Sequence, residues 1–231
     1  MADLPTPYYQ DSAVTIYHGD CRDILPLLGP RLVITDPPYN IGYEYKSWKD
    51  NMSASEYAAL LGVLSPPCVV IHLPAAMYFV ADAIGCNPLK VVAWVYNAHV
   101  GGSYRSIAWF DTAPDMALVR REYRNPDDKR VKRLMETKPG GGPRLRDWWH
   151  IEQVKGNALE KHKEHHCQIP MRVMENILNV TPSPLTVVDP FMGTGTTLRA
   201  AKDLGRKAIG IEIEEKYCEI AAKRMRQEVL L

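Results

Sequence analysis

The stretch from 185 to 212 constrains this chain more than any other. Leu185-Thr186-Val187-Val188 is a short apolar run that reads as a buried strand. It leads into Asp189-Pro190-Phe191-Met192-Gly193-Thr194-Gly195-Thr196-Thr197. A helix is expected from Leu198 to Leu204, ended by Gly205 just beyond its cap, then a strand from Lys207 to Ile211 with Glu212 at its end. Strand, glycine loop, helix and strand make a parallel-sheet unit, and such sheets bind ligands at the carboxyl ends of their strands. Gly193 and Gly195 let the backbone turn tightly and approach a ligand with no Cβ in the way. The helix aims its positive N-terminus at the same place. Glu212 follows Asp189 by 23 residues, near the ~20 at which an acid meets ribose hydroxyls in nucleotide-binding units. The third glycine of a dinucleotide loop is missing, and no lysine follows the second glycine as in a P-loop. The loop therefore suits an adenosyl ligand without phosphates; a ligand-free turn is the bland alternative.

A second strand end matters as much. Leu32 to Thr35 reads as a buried strand that Pro37 and Pro38 terminate, leaving Asp36 at its carboxyl end and Tyr39 just beyond. A carboxylate, prolyl carbonyls and an aromatic face suit a planar base carrying an exocyclic amine, with two acceptors for two N–H bonds and a surface to stack on. Taken alone, a proline-terminated strand with a helix-capping Asp explains the tetrad equally well.

The remaining elements fit one α/β domain of 231 residues. A strand at Ala13 to Tyr17 precedes Gly19 and Asp20, the latter either a helix cap or a ligand group at the sheet edge. Ser53-Ala54-Ser55-Glu56 resembles a capping box that opens a helix running to Leu64. Strands are expected at Cys68 to Leu73, Val91 to Tyr96 and Thr112 to Arg120, with a helix at Ala75 to Ile84 between the first two. The short link containing Gly101-Gly102 favours antiparallel pairing of the last two strands. A helix from Pro170 to Asn179 and a terminal helix from Glu214 to Gln227 complete the reading.

The net charge of +1 conceals a polarity. Residues 120–146 hold ten Lys and Arg against four Asp and Glu, an excess of +6, so the rest of the chain carries −5. A local basic segment on a mildly acidic body can meet phosphate, although a solvated loop has the same composition. The five cysteines are odd in number and lack a CxxC pair, which points to a reduced, cytoplasmic protein. No apolar run approaches the length of a membrane span, and no signal peptide is expected. His162, His165, His166 and Cys167 lack the second ligand pair of a zinc site, so no metal is expected. Asp147-Trp148-Trp149 reads as packing that anchors the basic segment.

Together, Asp189 to Thr197 and Asp36-Pro37-Pro38-Tyr39 resemble the S-adenosylmethionine-dependent amino-methyltransferases. The tetrad precedes the glycine loop with the basic segment between them. That is the permuted order of the β group of DNA N6-adenine and N4-cytosine methyltransferases, and the likeness runs from about Val14 to Arg224. His165, Gln168 and Pro170 match the family's His-Pro-x-Gln-Lys-Pro, whereas His166 and Ile169 replace its Pro and Lys.

The resemblance implies a Rossmann-like, seven-stranded, mostly parallel sheet with one antiparallel strand. Residues 13–120 form the catalytic half, 121–164 a small target-recognition insertion and 165–231 the cofactor-binding half of the same domain. Asp36 and the Pro37 carbonyl, with Pro38 shaping the turn, accept from the target amine, and Tyr39 stacks on a flipped base. Asp36, Gln168, Asp189, Phe191, Gly193, Gly195 and Thr196 surround S-adenosylmethionine, Glu212 meets its ribose and Asp20 lies by its adenine. Arg120, Arg121, Arg124, Arg130, Lys132 and Arg133 are candidate phosphate contacts. The implied partner is double-stranded DNA, and a homodimer is compatible with the family. Asp rather than Ser in the tetrad favours adenine N6 over cytosine N4. RNA methylation and a catalytically silent DNA-binding relative are the further alternatives, and the intact Asp36, Tyr39, Gly193 and Gly195 argue against silence.

Overall fold

The computed structural model describes residues 3–43, 50–97, 103–121, 123, 125–137, 142–154 and 168–227. One nine-stranded sheet runs through the molecule in the order β1-β2-β9-β8-β3-β4-β6-β5-β7. Its strands are β1 (Tyr9–Gln10), β2 (Val14–His18), β3 (Arg31–Thr35), β4 (Cys68–His72), β5 (Lys90–Val95), β6 (Tyr104–Phe110), β7 (Trp148–His150), β8 (Thr186–Asp189) and β9 (Ala208–Glu212). Seven strands, the number expected, form the run from β2 to β5, in which only β6 is antiparallel to its neighbours. The count rises to nine because two short edge strands join it. The two residues of β1 pair antiparallel with β2, and the three of β7 pair parallel with β5.

Alternation along the strands splits the core into two layers. Leu32 and Ile34 of β3 face one layer with Val69, Ile71 and Trp94, covered by α5 (Met171–Val180), α6 (Thr196–Asp203) and α7 (Glu215–Met225). Val33, Val70, Val188 and Ile211 face the other, covered by α1 (Cys21–Ile24), α2 (Ala54–Gly62) and α3 (Met77–Ile84). Local chemistry sets the helix boundaries. Ser53 and Glu56 form the reciprocal capping box that opens α2. Gly85 adopts a left-handed conformation that closes α3. Pro170, which needs no N–H partner, precedes the first residue of α5.

The strand expected at Thr112 to Arg120 is not there. Asp111 has a positive φ of 50°, and the Asp115 side chain accepts from the Ala117 amide, so this stretch turns rather than extends. Leu118 is exposed, and Arg120 makes only an isolated bridge with Arg144. The antiparallel partner of β4 and β5 is β6, whose Ile107, Ala108, Trp109 and Phe110 are all buried. A helix in the basic segment, α4 (Lys129–Thr137), was not expected, and it carries no buried residue. Trp149 is buried through β7 and meets Trp109 edge-on, while Trp148 is half exposed. Among the described residues no helix is long and apolar enough to cross a membrane.

Candidate active site

β3 and β8 are parallel neighbours, with Leu32 opposite Val187 and Val33 opposite Val188. The chain leaves β8 toward β9 on one side and β3 toward β4 on the other, so the topological switch point of the sheet lies between them. Both sequence motifs emerge there. Thr35 Oγ1 donates to Asp189 Oδ1 at 2.7 Å, across 154 residues of sequence. Asp189 also accepts from Thr197 Oγ1 at 2.6 Å and the Phe191 amide at 3.1 Å. Burial raises its carboxyl to about 6 against these bonds. Asp189 thus ties the glycine loop to the base of the tetrad.

A single cavity of about 550 Å³, within the ~300–1,000 Å³ of small-molecule sites, runs from one motif to the other. Its walls include Asp36, Pro37, Pro38 and Tyr39, as well as Asp20, Asp189, Phe191, Gly193, Thr196 and Glu212. Two residues of the expected set are not on its wall. Gln168 is buried, and its neighbour Ile169 lines the cavity instead. Gly195 is required by conformation and packing: its φ is +78°, and an added Cβ would lie 3.0 Å from that of Ala221 on α7.

At the glycine-loop end, Glu212 accepts from the Gly193 and Glu214 amides at 2.9 Å each. Burial raises its carboxyl to about 7. Asp20 caps α1 through the Arg22 amide and pairs with the Arg22 guanidinium, which holds its carboxyl below the ordinary range. It therefore serves as a cap and still faces the cavity. The buried Thr194 hydroxyl has no hydrogen-bond partner among the described residues and lies on the wall beside Glu212. Carboxylate lone pairs left over after two amide bonds and an unpaired hydroxyl fit an adenosyl ligand with ribose and amino-acid groups.

At the tetrad end, Tyr39 Oη donates to Asp36 Oδ1 at 2.5 Å. Arg105 of β6 approaches the other oxygen at 3.8 Å. Its guanidinium lies over the Tyr39 ring at 5.1 Å and over Trp94 at 5.3 Å. Burial pushes the Asp36 carboxyl up, while Arg105 and the Tyr39 bond pull it down. Behind the turn, Leu73 N–H donates to His72 Nδ1, so Nε2 carries the proton and donates to Tyr57 Oη at 2.6 Å. The Tyr57 hydroxyl then donates to the Pro38 carbonyl at 2.7 Å. Burial lowers His72 to about 4, which keeps this relay neutral. Among the described residues none donates to the Pro37 carbonyl, which stays available as an acceptor.

Arg105, His72 and Tyr57 were missed in the sequence. A polar His ending an otherwise apolar strand, as Asp36 follows β3, was the available signal for one of them. For Arg105 the signal exists only once β6 is recognised as antiparallel, because its first residues then lie at the carboxyl edge of the other strands. Of the candidate phosphate contacts, Arg120 and Arg121 donate to the carbonyls of Gly142 and Arg144, and Lys132 pairs with Asp127. Arg130 and Arg133 lie on exposed α4. Arg124 and the His162 to Cys167 cluster lie outside the described residues.

Comparison with known proteins settles the family. A DNA methylase model matches residues 75–223, more than half of the chain. The type II methyltransferase M.ScaI of Streptomyces caespitosus is 30% identical over 97% of this chain and 85% of its own length. The chain belongs to the N6/N4 DNA methylase family. Among other relatives of this methylase, the DNA adenine methyltransferase YhdJ of Escherichia coli K12 is 25% identical over 94% of this chain and 84% of its own. The crystal structure of the M1.HpyAVI–SAM complex superposes with a TM-score of 0.60 at 24% identity, covering 93% of this chain and all of that one. The likeness is one of fold, a mixed α/β sheet of the kind described above.

Proposed function

We propose that this methylase transfers a methyl group from S-adenosylmethionine to N6 of adenine in a specific double-stranded DNA sequence, acting on a base turned out of the helix. The observation that carries this reading is the single cavity joining Asp36 to Tyr39 with Asp189 to Thr194 and Thr196. S-adenosylmethionine supplies a methyl on a sulfonium, already electrophilic, so neither a metal nor a covalent enzyme intermediate is required. Glu212 would hold the ribose, Asp20 would lie by the adenine, and the loop from Asp189 to Thr196 would surround the methionine end. Asp as the first residue of the tetrad and an adenine-specific relative support adenine over cytosine.

An exocyclic amine conjugated to a ring is a poor nucleophile because its lone pair is delocalised. Hydrogen bonds from its two N–H groups to Asp36 and the Pro37 carbonyl favour a more tetrahedral nitrogen and stabilise the positive charge that develops on it. Asp36 can accept without giving up Tyr39, because a carboxylate offers about four acceptor sites. The bond from Tyr57 to the Pro38 carbonyl fixes the turn, and placement in line with the methyl supplies the rest of the acceleration. Turning the base out costs a few kcal/mol, which stacking on Tyr39 offsets in part. Residues 121–164 would provide target recognition, with the basic face of α4 toward phosphate.

The test is product analysis. Unmethylated DNA and, in a parallel reaction, RNA are incubated with labelled S-adenosylmethionine and digested, and the labelled nucleoside is identified with its sequence context. N6-methyladenine from duplex DNA is expected; N4-methylcytosine, or label only in RNA, would refute the assignment. Asp36→Ala should reduce transfer below detection while leaving S-adenosylmethionine affinity within about threefold, a change of under ~1 kcal/mol. Loss of cofactor binding or of folding would remove the assigned role.

A further inference from the structure

The Arg105 side chain is 15% exposed; the residue is second in the antiparallel strand β6, lies opposite Trp94 of β5 and contributes to the wall of the cavity. Its planar cation lies over the Trp94 and Tyr39 rings, with the Asp36 carboxylate at its edge. Among the described residues, the remaining polar neighbours of Asp36 do not supply this charge. Tyr39 donates a neutral hydroxyl, Tyr57 and His72 form the neutral relay behind Pro38, and Asp189 of β8 repels it.

We infer that Arg105 is a positioning residue for methyl transfer: its guanidinium keeps Asp36 ionised as the amine acceptor and holds the Tyr39 ring in the plane on which the base stacks. This rests on the reading of Asp36 given above. Both functions require the geometry of arginine. A guanidinium is flat, always charged and weakly hydrated, so it can stack between two rings and still present an N–H edge to a carboxylate. An ammonium supplies the charge without the plane. Arg105 is contributed by the one inner strand that runs against its neighbours, and that reversal brings the start of the strand, rather than its end, to the active edge.

The experiment is the pH dependence of kcat for methyl transfer to DNA from a methylation-deficient host, in wild type and in Arg105→Gln, Arg105→Met and Arg105→Lys. S-adenosylmethionine affinity and thermal unfolding of each full-length variant serve as controls. Removing an opposing charge at this distance should move the acid limb up by about one pH unit in the Gln and Met variants. Their kcat at neutral pH should fall at least ~tenfold, with cofactor affinity held within about twofold. Lysine should return the limb toward its wild-type position while leaving kcat low, since it restores the charge and not the stack. Arg105 also disfavours protonation of Tyr39, which stays a neutral hydroxyl throughout, and of His72, so the His72 imidazole resonance is followed by NMR over the same range. A His72 that stays neutral through the limb assigns the shift to Asp36; one that titrates on it overturns the proposal. An unmoved limb in both Gln and Met variants, alongside an active wild type, overturns this proposal alone. An inactive wild type, or full activity in Asp36→Asn, overturns the reading of Asp36 and this proposal with it. If the Met variant does not fold, the Gln and Lys pair carries the comparison.

Discussion

On the proposed reading Glu212 accepts ribose hydroxyls as a carboxylate, yet its buried surroundings raise it from an ordinary 4.5 to about 7. A carboxyl raised in the folded state contributes stability that is complete below its unfolded value and is lost as pH rises through the folded one. Without cofactor, the protein should therefore gain stability from this group as pH falls from about 7 toward 4.5, by at most ~3 kcal/mol. Asp189, raised to about 6, acts with the same sign between its ordinary 3.8 and that value. Glu212→Gln should flatten this part of the melting-temperature profile. The cofactor works in the opposite direction, because its hydroxyls favour the carboxylate. S-adenosylmethionine affinity should weaken as pH drops below about 7, and binding at pH 6 should release a proton. Calorimetry in buffers of different ionisation enthalpy reads that proton directly, and an affinity constant from pH 5.5 to 8 would remove Glu212 from the site.

At the scale of elements, the glycine loop shows how packing and conformation divide their demands. Gly195 is the N-cap of α6 with a left-handed φ, and it also faces α7 at close range. Gly205, after the same helix, has a φ of +68° but open space where a Cβ would go. Gly205→Ala should therefore cost about 1 kcal/mol from conformation alone. Gly195→Ala should cost more, about 2–3 kcal/mol, because Ala221 must also yield. Equal losses in denaturant unfolding would mean that α7 shifts freely. The loop and its flanking strands were legible in the sequence because β-branched runs, glycines and prolines fall in register there: Val187, Gly193, Pro37 and Gly205 each say one thing only. The strand at β6 was not, and the reason is physical. Met116 to Val119 has the apolar composition of a strand, but Asp111, Pro114 and Asp115 bend it, while the apolar stretch from Ile107 to Phe110 is buried on both faces and shows no period-two alternation. Misplacing that strand concealed Arg105. Tyr57 was hidden for a different reason, since its role comes from a contact across α2 and β4 that no local pattern encodes, whereas His72 was marked only by its place at the end of an apolar strand.

At the scale of the molecule, charge and chemistry are segregated. The cavity collects carboxylates, Asp20, Asp36, Asp189 and Glu212 among them, while the excess of +6 lies in residues 120–146 against −5 elsewhere. On the proposed reading this separation helps an enzyme that draws in a polyanion and then houses a cationic sulfonium: the basic segment would attract phosphate, and the acidic pocket would favour the cofactor's positive charge. Within the basic segment the residues do not act alike. Arg120 and Arg121 spend their donors on the carbonyls of Gly142 and Arg144, closing the base of the segment. Arg130 and Arg133 project from α4, which packs no residue into the core, so they can change without disturbing the fold. Replacing both by Glu should therefore leave the melting temperature within the small range of surface substitutions, about 0.5 kcal/mol. DNA affinity should weaken for every sequence tested, since phosphate contacts carry no base information. The slope of log affinity against log salt should become shallower by about 2, roughly one for each phosphate no longer neutralised. Arg120→Ala and Arg121→Ala should behave differently, lowering stability and site preference through the loosened closure while changing the slope less. An unchanged salt slope in the α4 double variant would place the DNA backbone elsewhere on the molecule.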